Sequence, residues 1–269
     1  ISNSKTILLT ILIPSLDRHE MVVSLIKSMP NDDRYQIILC DDGSSPTLES
    51  FCSKNNFSCT NIVYVRNSTN VGRINALKIG MKKASGKVSM IMDSDDFIHS
   101  SNLVEFLNYL ETLNSYNKAL ILGQKIDYHT HSFKIEFKEN KYPSVIQLRI
   151  DLAIKQDLRE VVPTDLLQEA FQSLDNTDKR IPTAILWLYI SNKIDAISLP
   201  FLITTKRYLE DGLTKNITSI KRKNPGSMLN YYWKLLFSPC YKSWKYRMQI
   251  AVKIMLYSSL LVLKKVFNY

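Results

Sequence analysis

This sequence predicts an α/β fold built on a mainly parallel sheet, and three observations predict it. Four apolar runs, residues 7–13, 35–40, 61–65 and 87–92, each pass into polar residues at the C-terminal end. Continuous rather than alternating hydrophobicity marks strands covered on both faces, as a parallel sheet requires. Between the runs lie helical patterns: Met21, Val22, Leu25, Ile26 and Met29 share one helix face, and Ile74, Leu77, Met81 and Ala84 share another. Strand alternating with helix is the arrangement that lays strands parallel.

Beyond the fourth run, Leu103, Phe106, Leu107, Leu110 and Leu113 predict a further helix, and residues 119–123 and 133–137 predict strands. The second of these alternates in polarity, which suits an edge position. Residues 144–190 read as mostly helical, with Thr164 as a cap ahead of Leu166, Leu167, Ala170, Phe171 and Leu174, and Pro182 suited to the first turn of another helix. With no internal repeat and only seven glycines, the chain has no signature of a repeat architecture.

Composition bounds the function. At 269 residues, 45% hydrophobic and 22% charged, the chain has globular proportions and enough length to bury a core. Its net charge of +10 favours anionic partners, and the excess is concentrated late: residues 215–265 contain no Asp or Glu. Cys40, Cys52, Cys59 and Cys240 show no CxxC spacing, so neither a zinc site nor a redox motif is indicated and reduced thiols are expected. His99, His129 and His131 read as surface histidines. The 7–13 run is too short to span a bilayer and ends at Pro14 without a cleavage pattern, so it reads as a strand and not a leader.

In an open parallel sheet, ligands bind beyond the carboxyl ends of the strands. There the first run ends in Pro14-Ser15-Leu16-Asp17-Arg18, the second in Asp41-Asp42-Gly43-Ser44-Ser45 and the fourth in Asp93-Ser94-Asp95-Asp96. Carboxylates crowded on one rim repel each other unless a cation intervenes, and an all-oxygen set selects a hard divalent ion, magnesium or manganese. Each motif is weak alone: Asp-Asp-Gly-Ser is common turn chemistry, and Asp-x-Asp arises often.

Their order is more specific. Thr10-Ile11-Leu12-Ile13-Pro14-Ser15, Ile38-Leu39-Cys40-Asp41-Asp42-Gly43-Ser44-Ser45, Asn70-Val71-Gly72-Arg73 and Ala84-Ser85-Gly86-Lys87 leading to Met92-Asp93-Ser94-Asp95-Asp96 together resemble the family 2 inverting glycosyltransferases of the GT-A fold, of the bacterial surface-polysaccharide type. The resemblance spans residues 6–235 and is strongest before residue 130. It implies that Pro14, Ser15 and Arg18 frame a nucleotide, that Asp42 accepts a hydrogen bond from the base, and that Asn70, Gly72 and Arg73 line its loop. Asp93-Ser94-Asp95 matches the family's DxD element, in which one carboxylate faces the ribose and another holds the metal on the diphosphate. Asp95 is the preferred ligand, supported by Asp93 and Asp96. The general base is expected among Asp175, Asp178 and Glu160. Asp178 is preferred because Asn176-Thr177-Asp178-Lys179-Arg180-Ile181-Pro182 resembles the family's acidic segment, although Thr183 stands where relatives often carry an acid. Tyr208-Leu209-Glu210-Asp211-Gly212-Leu213-Thr214-Lys215 resembles a later segment near acceptor and diphosphate.

The implied function is transfer of a sugar from a nucleoside diphosphate, UDP by preference, to a hydroxyl of a glycan, with a lipid-linked polysaccharide intermediate as the expected acceptor. Residues 1–100 would form the Rossmann-like, nucleotide-sugar-binding half and 101–229 the acceptor half of one domain, with 230–269 a basic helical extension. In that extension Trp233, Lys234, Tyr241, Lys242, Trp244, Lys245, Tyr246 and Arg247 precede an apolar stretch, 250–263, broken by Lys253. This pattern suits attachment to an acidic membrane surface, hence a cytoplasmic protein peripheral on the inner face of the membrane; a helix docked on the domain is the plainer alternative. No nucleic-acid-binding motif accompanies the charge. Two other functions compete: a nucleotidyltransferase, which normally needs a glycine-rich loop where residues 14–20 have no glycine, and a non-catalytic membrane-associated scaffold retaining the fold, prompted by Thr183.

Overall fold

The computed structural model describes residues 6–55, 61–128, 130–154, 156–174, 180–207, 217–240 and 243–267. Its first half follows the predicted alternation: β1 (Leu9–Ser15), α1 (His19–Lys27), β2 (Tyr35–Asp41), α2 (Leu48–Lys54), β3 (Ile62–Arg66), α3 (Arg73–Met81) and β4 (Val88–Ile91). Parallel pairs join β1 to β2, β1 to β4 and β2 to β3. Helix α2 was not anticipated. It has only Leu48 and Cys52 buried, too few apolar residues for a period to show, and is started by Thr47, whose side chain accepts a hydrogen bond from Ser50 N.

The second half contains β5 (Phe97–Ile98), α4 (Ser100–Thr112), β6 (Ala119–Asp127), β7 (Ser132–Ile135), β8 (Asn140–Tyr142), α5 (Val145–Asp151), β9 (Arg159–Pro163), α6 (Thr164–Gln172), α7 (Ala184–Ser191) and β10 (Ala196–Arg207). A single sheet orders the strands β3-β2-β1-β4-β9-β6-β10-β5, with β7 on β6 and β8 on β10. β6 and β10 are parallel, but β9 lies between β4 and β6 and runs antiparallel to both. The sheet is therefore parallel in its first half and mixed in its second.

Strand β9 falls within the region expected to be mostly helical. All five of its residues are buried, two of them charged, so hydropathy gave no strand signal there. Thr164 begins α6 rather than capping it; its hydroxyl lies 2.7 Å from Ser89 Oγ and ties the helix to β4. Pro182 stands before the Thr183 cap of α7, not within its first turn.

Two cores cover the sheet. On one face Leu9, Ile11 and Ile13 of β1 pack with Val22 and Leu25 of α1 and Leu103 and Phe106 of α4. On the other, Leu12 packs with Ile74 and Leu77 of α3 and Leu167 and Phe171 of α6. Successive strand side chains point to opposite faces, so one uninterrupted apolar run serves both cores, each buried Leu or Ile contributing about 1.5–3 kcal/mol. After β10 come α8 (Ile217–Lys223), α9 (Pro225–Leu236) and α10 (Trp244–Phe267). A third cluster, Ile146, Leu188, Leu235, Ile250 and Ile254, packs α9 and α10 against α5 and α7.

Candidate functional site

The register of the parallel strands sets the site. Ser15 at the end of β1 pairs with Asp41 at the end of β2, and Leu12 pairs with Ile91 at the end of β4. The segments that follow, 15–18, 41–45 and 92–96, therefore emerge side by side, and Met92 N donates to Leu12 O at 2.9 Å to extend the alignment.

The adjacent carboxylates of Asp41 and Asp42 hold two different loops. Asp41 accepts from Ser44 N at 2.8 Å, Leu48 N at 3.1 Å and the Arg66 guanidinium at 2.9 Å. Burial pushes its pKa up, but these hydrogen bonds outweigh burial and hold it below the usual carboxylate value. Asp42 accepts from Asn67 Nδ2 at 3.0 Å, Val71 N at 2.9 Å and Gly72 N at 2.9 Å, so it fixes the 67–72 loop. Two glycines make this possible. Gly43 has φ +94°, and a Cβ there would lie 2.9 Å from Asn70 N; Gly72, at φ +95°, caps α3. Asp17 Oδ1 accepts from Ser45 N at 2.9 Å, and Asp17 N donates to Ser44 Oγ at 3.0 Å, which latches the first loop to the second.

At the end of β4, three carboxylates meet four cations in different ways. Arg73, the first residue of α3, donates to Asp93 Oδ1 at 2.5 Å and to Thr183 Oγ1 at 2.8 Å. Lys206 of β10 donates to Asp93 Oδ2 at 2.6 Å. Burial opposes ionisation of Asp93, but the charges of Arg73 and Lys206 hold its carboxyl well below the usual range. Asp96 is fully buried, with Oδ2 2.7 Å from Arg159 of β9 and Oδ1 4.0 Å from Lys206. Burial raises its pKa. Asp95 faces Arg18 at 3.6 Å, beyond hydrogen-bond distance, and burial followed by the Asp93 charge raises its pKa. Ser94 between them is buried. Ser15 Oγ and Asp96 Oδ1 are buried atoms with no hydrogen-bond partner among the described residues.

The structure thus brings together Ser15, Arg18, Asp42, Gly72, Arg73, Asp93, Asp95 and Asp96, with Pro14 inside β1 and Asn70 exposed on the loop, its Oδ1 accepting from Gly72 N at 3.1 Å. Glu160 is buried on β9 and paired with Arg149 at 2.5 Å, which removes it as an accessible base. Asp175, Asp178 and residues 208–215 lie outside the described residues. Sequence reasoning missed Lys206, Arg159 and Asp157, whose exposed carboxylate is 3.6 Å from Lys206. Cations in otherwise apolar strand segments were the available signal, and only their partners give it meaning.

Three comparisons bear on this arrangement. The family model described as glycosyl transferase family 2 matches residues 10–170. Uncharacterized glycosyltransferases of Rickettsia bellii and Rickettsia conorii are 27% and 29% identical over 146 and 150 residues, 51% and 52% of this chain. The chain spans only 20% and 24% of those relatives' own lengths. Among solved structures, S. aureus TarS 1–349 superposes with TM-score 0.60 at 16% identity, covering 92% of this chain and 70% of that one. The same protein in complex with UDP-GlcNAc gives 0.66 at 14% identity, covering 92% and 71%.

Proposed function

The chain belongs to glycosyl transferase family 2 and has the GT-A fold, and from that premise we propose that it transfers a sugar, with inversion, from a UDP-sugar to a glycan hydroxyl, a lipid-linked intermediate being the preferred acceptor. The observation that carries this reading is the convergence of Arg18, the Asp42-held loop and Asp95 on one rim at the ends of β1, β2 and β4. The TarS complexes with UDP-GlcNAc and UDP support a uridine donor.

A divalent ion fits this rim through one carboxylate. Asp93 and Asp96 are engaged by internal cations, and the described residues contain no group of three His, Cys, Asp or Glu suited to a metal. Among the described residues Asp95 has no cation within hydrogen-bond distance, and magnesium sites commonly use one or two carboxylates with substrate phosphates completing the shell. Bound there, manganese or magnesium would neutralise charge developing on the departing diphosphate. Around it, Arg73 and Lys206 fix Asp93, Asp42 shapes the nucleotide loop, and Arg18 adds positive charge beside the phosphates.

Displacement needs a base for the acceptor hydroxyl, and the acidic segment before α7 supports Asp178 in that role. The test is donor binding by calorimetry paired with a turnover assay. Asp178→Asn is expected to bind UDP with manganese as the parent does and to lose transfer. Retained transfer rejects this base, and loss in Asp157→Asn instead moves the role to Asp157. Binding without turnover by the parent chain, over a screen of sugars and acceptors, would favour the scaffold.

A further inference from the structure

Helix α10 carries two apolar stripes and uses only one of them. Ile250, Ile254 and Tyr257 are buried, and the Tyr257 ring stacks 5.5 Å from Tyr232 of α9. At the other end Lys264 Nζ donates to Lys223 O of α8 at 3.1 Å. These contacts hold the helix along the domain. The opposite face presents Trp244, Met248, Val252, Met255, Val262 and Val266, three or four residues apart once Ser259 is included. They stay exposed, from 54% at Val252 to 77% at Trp244. An apolar stripe of this length on a charged molecule, broken at Ser259, marks a contact surface.

We propose that this stripe lies in the surface of an anionic lipid bilayer, with α10 parallel to the membrane plane. Charge complementarity selects the occupant. The stripe's three-four spacing would also suit a coiled coil with a second copy, but such seams are flanked by residues of both signs. Neither α10 nor the segment 215–265 contains Asp or Glu, so two copies meeting along this stripe would bring Lys245 and Arg247, which flank it at its N-terminal end, against like charges. An anionic surface accepts the same two cations favourably while the apolar stripe enters the boundary between headgroups and acyl chains. By length and composition α10 could cross a membrane. Its docked stripe argues otherwise, because a helix bound along α9 cannot be surrounded by hydrocarbon. The inference is independent of the transfer reaction and uses residues remote from the rim.

Vesicle flotation of the full chain tests it, using phosphatidylcholine alone and phosphatidylcholine with phosphatidylglycerol. The chain is expected to float only with the anionic vesicles and to be released by salt. Met255→Asp with Val262→Asp should abolish flotation at an unchanged melting midpoint. Lys245→Gln with Arg247→Gln should weaken binding about fivefold per charge, and decides alone if the aspartate pair unfolds. The proposal is overturned by failure to float, by flotation of the aspartate pair at parental level, by resistance to alkaline carbonate extraction, or by a solution dimer that the aspartate pair dissociates.

Discussion

Lys206 places its Nζ 2.6 Å from Oδ2 of Asp93, a residue 113 positions earlier in the chain. The contact joins the end of β10 to the loop after β4 across the intervening strands, and Arg73 closes the other Asp93 oxygen. Asp93 is consequently a fixed anion between two cations, while Asp95, two residues on, is left facing the rim.

Removing the lysine should expose that dependence. Lys206→Met is expected to cost about 2–3 kcal/mol, less than the ~3–5 of a fully buried broken pair, because Asp93 retains 32% side-chain exposure and Arg73. Since the folded pKa of Asp93 lies below its unfolded value, its contribution is present above about pH 4 and lost as pH falls through the folded pKa. The variant's deficit in chemical denaturation should therefore shrink on acidification.

A second pH signature belongs to Arg159. Burial raises the Asp96 pKa, so the folded state holds that proton more tightly than the unfolded chain and this group's contribution to stability declines as pH rises from about 4 through the folded pKa. Arg159, 2.7 Å away, limits the decline. Arg159→Leu should cost about 3–5 kcal/mol near neutrality and distinctly less in acid, where Asp96 carries its proton. A denaturation deficit independent of pH would contradict the pairing as the cause.

For the metal, Asp95→Asn should lower manganese-dependent affinity for UDP by at least ~10–100-fold, with little change in melting, because its nearest described cation is a half-buried Arg18 contact at 3.6 Å. Calorimetry with and without chelator reads this directly. Unchanged metal-dependent binding would assign the ion elsewhere.

The Asp-Asp-Gly-Ser turn offers a test of backbone geometry. Gly43→Ala must adopt φ near +94° and seat a Cβ 2.9 Å from the 69–70 backbone. A cost of about 1–3 kcal/mol and weaker nucleotide binding are expected together, since the displaced loop is the one that Asp42 holds. Parental melting and affinity would show that the loop adapts.

By itself the sequence determined the parallel half of this protein. Runs such as 35–40 are apolar on both faces, and α1 repeats its apolar residues at helical spacing, so local pattern and final structure agree. The rim residues Asp42, Asp93 and Asp95 were legible because they closely follow β2 and β4, and Arg73 because it ends the Asn70-Val71-Gly72-Arg73 motif. Helix α2 escaped because only two of its residues are buried. Tertiary structure alone decided β9, where Arg159 and Glu160 are buried in mid-sheet because Asp96 and Arg149 wait on its opposite faces. It also decided which carboxylates are engaged, since Lys206 reaches Asp93 only after β10 joins the sheet. Pairing of distant charges leaves no period in a sequence. Its energy arises from low-dielectric burial and a few ångströms of separation, and both exist only once the chain has folded.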